Sequence, residues 1–381
     1  MKVQRRRVLI AAGLSGWSAV TRTATLPGAT GLSDREVLIG QSAIQSGPLG
    51  IAVKTFNAGA GLAFADRTAS GGVWGRSVRL ISLDDGLKPD VALANYKALV
   101  SRHGVFCFFG GVGSATIAAA ANVLRESGVP LIGNFAVADS AREKAAGAAY
   151  FVRAPYSREA EKLVEHLNTI GIKRIAAVHL ANPGGLEVLE YIERAVAART
   201  GRSTPSAALE NDGSNVGVAA RRLMEANPQA IVLFASGPPV AELMARIMAG
   251  GVKPLFYGMS TVAGEVIAAT MGERMRGLVV SSVVPYPWDQ VDPTATRFRH
   301  LCAAARIMPS YGAYEGYING LVLLEALNRA GRSPSRAGLH DVMKTMKLRF
   351  GAMNLDFHGA GARGSRFVDL VSVTPAGRYV R

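Results

Sequence analysis

The segment Val105–Thr116 reads VFCFFGGVGSAT. Its continuous apolar run VFCFFG (105–110) is typical of a strand that is buried on both faces of a sheet. The glycine-rich turn after this run opens a helix predicted over Ser114–Glu126. A buried strand, a tight turn and a helix in this order predict a unit of a parallel α/β sheet.

Apolar runs and helical stretches alternate on both sides of this segment. Before residue 153, further strands are predicted at 37–43, 78–83 and 129–133, and further helices at 56–69 and 90–102, with Asp90 as the predicted N-cap. The alternation then restarts, with strands predicted at 174–180, 230–235, 254–258 and 278–284 and helices at 158–170, 186–200, 216–226, 240–249 and 263–271. Three helices (294–307, 314–330, 335–346) and two extended segments (353–357, 367–373) follow. The order βαβα in both halves predicts two parallel sheets.

This pattern predicts an α/β protein of two Rossmann-like, doubly wound lobes. The late helices and strands are too few for a third domain, so we expect them to complete the first two. The chain then crosses between lobes three times, near Arg153, Pro285 and Leu348, and these crossings form a hinge. The predicted boundaries are 35–153 plus 285–347 for the first lobe and 154–284 plus 348–381 for the second.

Residues 1–30 have the composition of a secretory signal peptide. Four basic residues among the first seven precede the apolar run Val8–Leu14 and a stretch of small residues. The arginines before Val8 also suggest a twin-arginine signal, although the surrounding pattern is loose. The sequence therefore predicts export to the periplasm.

The net charge of +15 includes five basic residues in this leader, which leaves about +10 on the rest of the chain. The basic residues are scattered and not interleaved with aromatics, so we expect a basic surface and no nucleic-acid partner. Cys107 lies in an apolar run and Cys302 in a helical stretch. We expect both to be buried thiols, and a disulfide bond between them is the alternative. The six histidines are dispersed and none has metal-ligand spacing.

Two motifs leave alternatives open. The turn GGVGSAT (110–116) fails the dinucleotide fingerprint, because Thr116 stands where the third glycine belongs, and it lacks the lysine of a P-loop. It is then either a plain tight turn or a ligand cradle at the carboxyl end of a parallel strand. The tyrosines at 311, 314 and 317 share one helix face, which suits either core packing or an aromatic wall. Neither motif indicates a catalytic centre, metal or cofactor.

Several segments together resemble the leucine/isoleucine/valine-binding family of ABC-importer solute-binding proteins, the type I periplasmic binding fold. The matching stretches, in the family's order, are 37–50, 69–86, 104–116, 127–133, 150–167 and 350–361. The resemblance implies two lobes that close over a small molecule and deliver it to a membrane permease. It also implies a non-enzymatic protein, which we expect to be a monomer.

The resemblance implies a set of ligand contacts as well. Ser114, with the neighbouring backbone, would hold a polar ligand group. The second turn of the first lobe falls near Phe135. Tyr314, from the helix face of tyrosines described above, would supply an apolar wall. The implied ligand-binding residues are Val112, Gly113, Ser114, Ala115, Phe135, Ala136, Val137, Gly184, Gly237, Ser260 and Tyr314.

Departures from the family pattern bear on the cargo. The second-lobe loop at 179–186 is shortened and has no tyrosine, and Ser260 stands where an acidic residue pairs with the ammonium group of an amino acid. A buried ammonium without a partner is strongly unfavourable. We therefore expect a small organic acid, an aromatic acid, an amide or an atypical amino acid. The alternatives are a ligand-sensing module of the same fold and, less favoured, an α/β enzyme.

Overall fold

The computed structural model describes residues 31–262, 264–275, 277–358 and 364–381. The predicted signal segment, 1–30, lies outside them. The described residues form two lobes, each with its own sheet of mainly parallel strands, so the predicted α/β architecture is confirmed. None of the described helices is long and apolar enough to cross a membrane.

The first lobe is built from the alternating elements that begin the chain. They are β1 (Glu36–Ser42), α1 (Gly47–Ala69), β2 (Ser77–Leu83), α2 (Pro89–Ser101), β3 (Cys107–Val112), α3 (Ser114–Ser127), β4 (Leu131–Phe135), α4 (Asp139–Lys144) and β5 (Ala149–Tyr150). The five strands run parallel in the order β2-β1-β3-β4-β5.

The second lobe repeats this alternation. Its elements are α5 (Tyr156–Thr169), β6 (Ile175–Leu180), α6 (Pro183–Thr200), β7 (Ser206–Leu209), α7 (Val216–Ala226), β8 (Ala230–Phe234), α8 (Pro238–Ala249), β9 (Leu255–Gly258), α9 (Gly264–Met271) and β10 (Leu278–Ser282). A short 3-10 helix, Gly272–Arg274, follows α9.

The remaining elements complete both lobes. They are α10 (Pro293–Ala305), α11 (Tyr311–Arg329), α12 (Arg336–Thr345), β11 (Lys347–Phe350), β12 (Met353–Asp356), β13 (Asp369–Val373) and β14 (Tyr379–Val380). The second sheet has the order β14-β13-β10-β9-β8-β6-β7, in which β10 with β13 and β13 with β14 pair antiparallel and the other neighbours pair parallel. The hairpin of β11 and β12 is separate.

Helix α11 returns to the first lobe and lies directly on α1. Gly59 and Gly316 make this approach possible, because a Cβ at either position would stand 1.8 Å from a carbonyl oxygen of the other helix. The hairpin also packs on the first-lobe core through Met353, Leu355 and Phe357. The sequence predicts that the chain passes into the second lobe near Leu348. In the structure the apolar residues that follow Leu348 still pack on the first lobe.

Other helices begin at residues different from the predicted ones, because small residues or prolines stand in their first turns. Helix α1 begins at Gly47 and not at residue 56, and the N-cap of α2 is Lys88, with Asp90 in the first turn. Cys107 and Cys302 are separate free thiols in the first-lobe core. Burial raises the pKa of Cys107 to about 12 and that of Cys302 to about 11.

Candidate functional site

The carboxyl ends of β3 and β6 lead into two helices whose first turns lie close together between the lobes. Ser114 begins α3 directly after β3, and Gly113 before it has a φ of +82°, a conformation that favours glycine. The Ser114 hydroxyl accepts a hydrogen bond from the Ala138 N–H at 2.9 Å. A Cβ on Gly184, in the first turn of α6, would lie 3.7 Å from the Ser114 Oγ. The first turns of α3 and α6 therefore meet across the two lobes.

The amino termini of these two helices create a positive potential at this meeting point. Helix α3 has 14 residues and α6 has 18, and neither has an acidic residue in its first turn. The N-cap of α3 is Gly113, which offers no side-chain acceptor, whereas Asn182 caps α6 by accepting from Gly185 N at 2.9 Å. Uncapped amide groups and aligned peptide dipoles favour a bound anion.

The end of β4 and the turn after it hold three predicted residues, of which Ala136 is the most exposed. Phe135 is 7% exposed, and its ring packs 5.9 Å from that of Phe56. Ala136 is half-buried and has a φ of +53°, which is unusual for a residue with a side chain. Val137 is fully buried in the core behind α3, so only its backbone is near the turn.

Of the remaining predicted residues, Val112 is buried at the end of β3, Ala115 is exposed, and Gly237 is the N-cap of α8. Tyr314 is not presented to the cleft. It is fully buried in the first-lobe core, where its ring lies 4.9 Å from Phe298 and 6.3 Å from Tyr317. Tyr317 is buried beside it, whereas Tyr311, the first tyrosine of this helix face, is half-buried and packs against Trp288 and Tyr379.

Ser260 belongs to a buried ionic network. Its backbone N–H donates to Glu159 Oε2 at 2.8 Å, and its hydroxyl donates to Glu159 Oε1 at 2.9 Å. The Ser281 hydroxyl adds a third hydrogen bond to this carboxylate at 2.6 Å. The hydroxyl of Ser260 is therefore committed to Glu159.

Arg153 joins this network to the first lobe. Its guanidinium lies 3.2 Å from Glu159 Oε1, on α5, and 3.4 Å from Glu315 Oε1, on α11. The three side chains, which we call the hinge triad, are almost completely buried. Burial alone would lower the pKa of Arg153, but Glu315 and Glu159 together outweigh it and raise that pKa. The triad connects elements of both lobes at the first crossing of the chain.

The two carboxylates of the triad are not equivalent. Glu159 accepts from several donors, whereas Glu315 Oε1 has the Arg153 contact at 3.4 Å and no hydrogen-bond partner among the described residues. Burial raises the pKa of Glu315 to about 6, against the opposing effect of Arg153. Glu315 thus takes up a proton at a higher pH than an ordinary glutamate side chain does.

We expect Glu315→Gln to flatten the dependence of stability on pH between about 4.5 and 6. The Glu315 carboxyl holds its proton more tightly in the folded protein, where its pKa is about 6, than at its ordinary value of 4.5. Its contribution to stability is therefore greatest below pH 4.5 and is lost as the pH rises through 6, by about 2 kcal/mol. Urea midpoints from pH 4.5 to 8 measure this. Glu325→Gln, on the exposed part of the same helix, is the control, and a variant curve parallel to wild type would contradict the prediction.

Leu87 and Arg153 are residues of the site region that the sequence reasoning did not select. Leu87 has a φ of +60°, and its side chain lies 3.0 Å from where a Cβ on Gly113 would stand. Buried Asp85 holds this loop by accepting from Leu87 N at 2.9 Å and from the Ser42 hydroxyl at 2.8 Å. Arg153 has a weak sequence signal, since it is a lone charge in the apolar stretch 149–155.

No three His, Cys, Asp or Glu side chains in the described part of the chain are grouped to hold a metal ion.

A profile of the periplasmic binding protein family matches residues 36–378. The chain belongs to this periplasmic binding protein family. Its members are solute-binding proteins of the type I fold, which includes leucine-binding proteins of ABC transporters.

Solved structures share the fold over nearly the whole of this periplasmic binding protein. A substrate-binding periplasmic protein from Ralstonia solanacearum is 28% identical, with a TM-score of 0.82 over 90% of this chain and 99% of that one. A possible leucine/isoleucine/valine-binding protein from Rhodopirellula baltica is 22% identical, with a TM-score of 0.82 over 91% and 97%. A solute-binding protein of R. palustris in complex with benzoate is 17% identical, with a TM-score of 0.78 over 91% and 95%. A search of curated protein sequences finds no match.

Proposed function

We propose that this protein captures a small organic carboxylate between its lobes in the periplasm and delivers it to the permease of an ABC importer. The observation that carries the proposal is the meeting of the α3 and α6 amino termini at Ser114 and Gly184. A carboxylate placed between them would accept hydrogen bonds from the uncapped amides at the start of α3 in the first lobe and from the Gly184 N–H of α6 in the second. Such contacts exist only when the lobes are together, so the ligand would favour the closed arrangement.

The same region gives little support to a plain α-amino acid. Its ammonium group needs a buried acceptor with negative charge, and the position expected to supply one is Ser260. The Ser260 hydroxyl donates to Glu159. The Glu159 carboxylate is already neutralised by Arg153 and accepts hydrogen bonds from the side chains of Ser260 and Ser281. An aromatic or aliphatic acid has no ammonium group to accommodate, and Phe135 and Leu87 would offer it apolar contact.

Two structural relatives agree with this choice of ligand class. The solute-binding proteins of R. palustris in complex with benzoate and with 4-hydroxybenzoate share the fold, at 17% and 16% identity. The fold therefore accommodates aromatic acids. Together with the potential at the α3 and α6 termini, this makes benzoates the first compounds to test.

A thermal-shift screen of residues 31–381 tests the proposal. Benzoate, 4-hydroxybenzoate and aliphatic acids are compared with benzamide, which keeps the ring and loses the charge, and with leucine. A carboxylate at about 100 times its dissociation constant should add about 2.7 kcal/mol of stability. Stabilisation by leucine or benzamide without stabilisation by any carboxylate would overturn the ligand class. Co-purification with a candidate permease tests the importer separately.

A further inference from the structure

Glu187 and Ser140 connect the two lobes beside the cleft. Glu187 lies on α6 in the second lobe, and Ser140 lies on α4 in the first. Glu187 Oε1 accepts from Ser140 N at 2.8 Å, and Glu187 Oε2 accepts from the Ser140 hydroxyl at 2.6 Å. The carboxylate therefore binds one residue of the other lobe with both of its oxygen atoms.

Tyr191 supports this carboxylate from within the second lobe. Its hydroxyl donates to Glu187 Oε1, one helical turn along α6. Burial and the hydrogen bond to Glu187 raise the pKa of the Tyr191 hydroxyl, so it remains a donor throughout the neutral range. Glu187 is held in the orientation that meets Ser140, which reduces the side-chain entropy lost when the lobes come together.

The connection is close to the proposed ligand position. Gly184, whose position meets Ser114, precedes Glu187 by three residues on the same helix, so both lie in the opening turns of α6. Any separation of Glu187 from Ser140 would also separate the α6 terminus from the α3 terminus. The Glu187–Ser140 contact is therefore coupled mechanically to the closing of the cleft.

We propose that Glu187 is a latch that holds the lobes closed before any ligand binds. The bidentate contact is charge-assisted and is made only in the closed arrangement. It raises the ligand-free population of the closed state and so reduces the part of the ligand's binding energy that is spent on closure. For its effect on affinity this inference rests on the proposed capture of ligand between the lobes, whereas the latch itself requires no ligand.

Pulsed electron paramagnetic resonance on the ligand-free protein tests the latch. Spin labels are attached at Lys97→Cys on α2 and Glu225→Cys on α7, which are exposed positions in different lobes. The native thiols at 107 and 302 are buried and should not react. Glu187→Ala removes the latch, Glu187→Gln keeps one acceptor, and Glu190→Ala changes an exposed carboxylate on the same helix.

The wild type and Glu190→Ala should give one short interlobe distance. Glu187→Ala should shift the distribution to longer distances, with the closed-to-open ratio falling on the order of tenfold, and Glu187→Gln should lie between. A wild type that is already open, or a Glu187→Ala distribution equal to that of the wild type, would overturn the latch. Neither result depends on which ligand the screen identifies, so the latch and the ligand class fail separately.

Discussion

Glu159→Ala is expected to lower the free energy of unfolding by about 3–5 kcal/mol. The substitution leaves the buried Arg153 guanidinium with Glu315 alone, at 3.4 Å. It also removes the acceptor of three hydrogen bonds, from the backbone and hydroxyl of Ser260 and from the Ser281 hydroxyl. A buried guanidinium that loses its nearer carboxylate and buried donors that lose their acceptor are both costly, and here the two arise together.

Chemical denaturation of the ligand-free protein measures this loss. Glu161→Ala is the matched control, because Glu161 lies on the same helix and pairs with Arg158 at 3.2 Å, but both side chains are partly exposed. The control should cost less than about 1 kcal/mol. If Glu159→Ala were as stable as Glu161→Ala, the hinge triad would not be the stabilising element that its burial and hydrogen bonds indicate.

The position of the triad connects stability to lobe movement. Arg153 stands where the chain first leaves the first lobe, Glu159 belongs to the second lobe and Glu315 to the first. In the second lobe, Arg153 donates to Glu159 at 3.2 Å and to the Ser260 hydroxyl, whereas its 3.4 Å contact with Glu315 in the first lobe is an ion pair and not a hydrogen bond. Rotation of the lobes would therefore disturb the Glu315 side of the triad more than the Glu159 side.

The fold was predictable because its signals are local. Continuous apolar runs identified β3 and β8, and helix α7 has the predicted bounds, Val216–Ala226. The six-residue α4 and the short β7 were missed, since neither has an apolar period long enough to recognise.

The site was predictable only in outline. Strand order indicates which end of the sheet carries the cleft, and the resemblance to the solute-binding family brought Ser114 and Gly184 into the predicted set. Contacts across the lobes join residues far apart in the chain, such as Ser140 with Glu187 and Arg153 with Glu315. No local pattern specifies such pairs, and for the same reason the commitment of Ser260 to Glu159 could not be anticipated.

Ala115→Asp is expected to weaken carboxylate binding roughly a hundredfold while leaving the fold intact. Ala115 is an exposed residue in the first turn of α3, next to Ser114. A carboxylate there opposes a ligand carboxylate about 5 Å away with about 3 kcal/mol at an effective dielectric constant of 20. The same negative charge near the amino terminus of α3 should stabilise the helix by about 0.3–1 kcal/mol. Binding and stability should therefore change in opposite directions.

Ala115→Asn is the matched control, since it has nearly the same shape as aspartate and no charge. Titration calorimetry with the carboxylate that gives the largest thermal shift should show the asparagine variant within a few-fold of wild type and the aspartate variant far weaker. Denaturation midpoints of the ligand-free variants check that aspartate does not destabilise the fold. Equal affinity of both variants would place the ligand carboxylate away from the α3 terminus, because a charge at Ala115 could not then be near it. If both variants lost the same affinity, the size of the side chain at position 115 would matter and its charge would not. That result would contradict a ligand carboxylate bound at the α3 terminus.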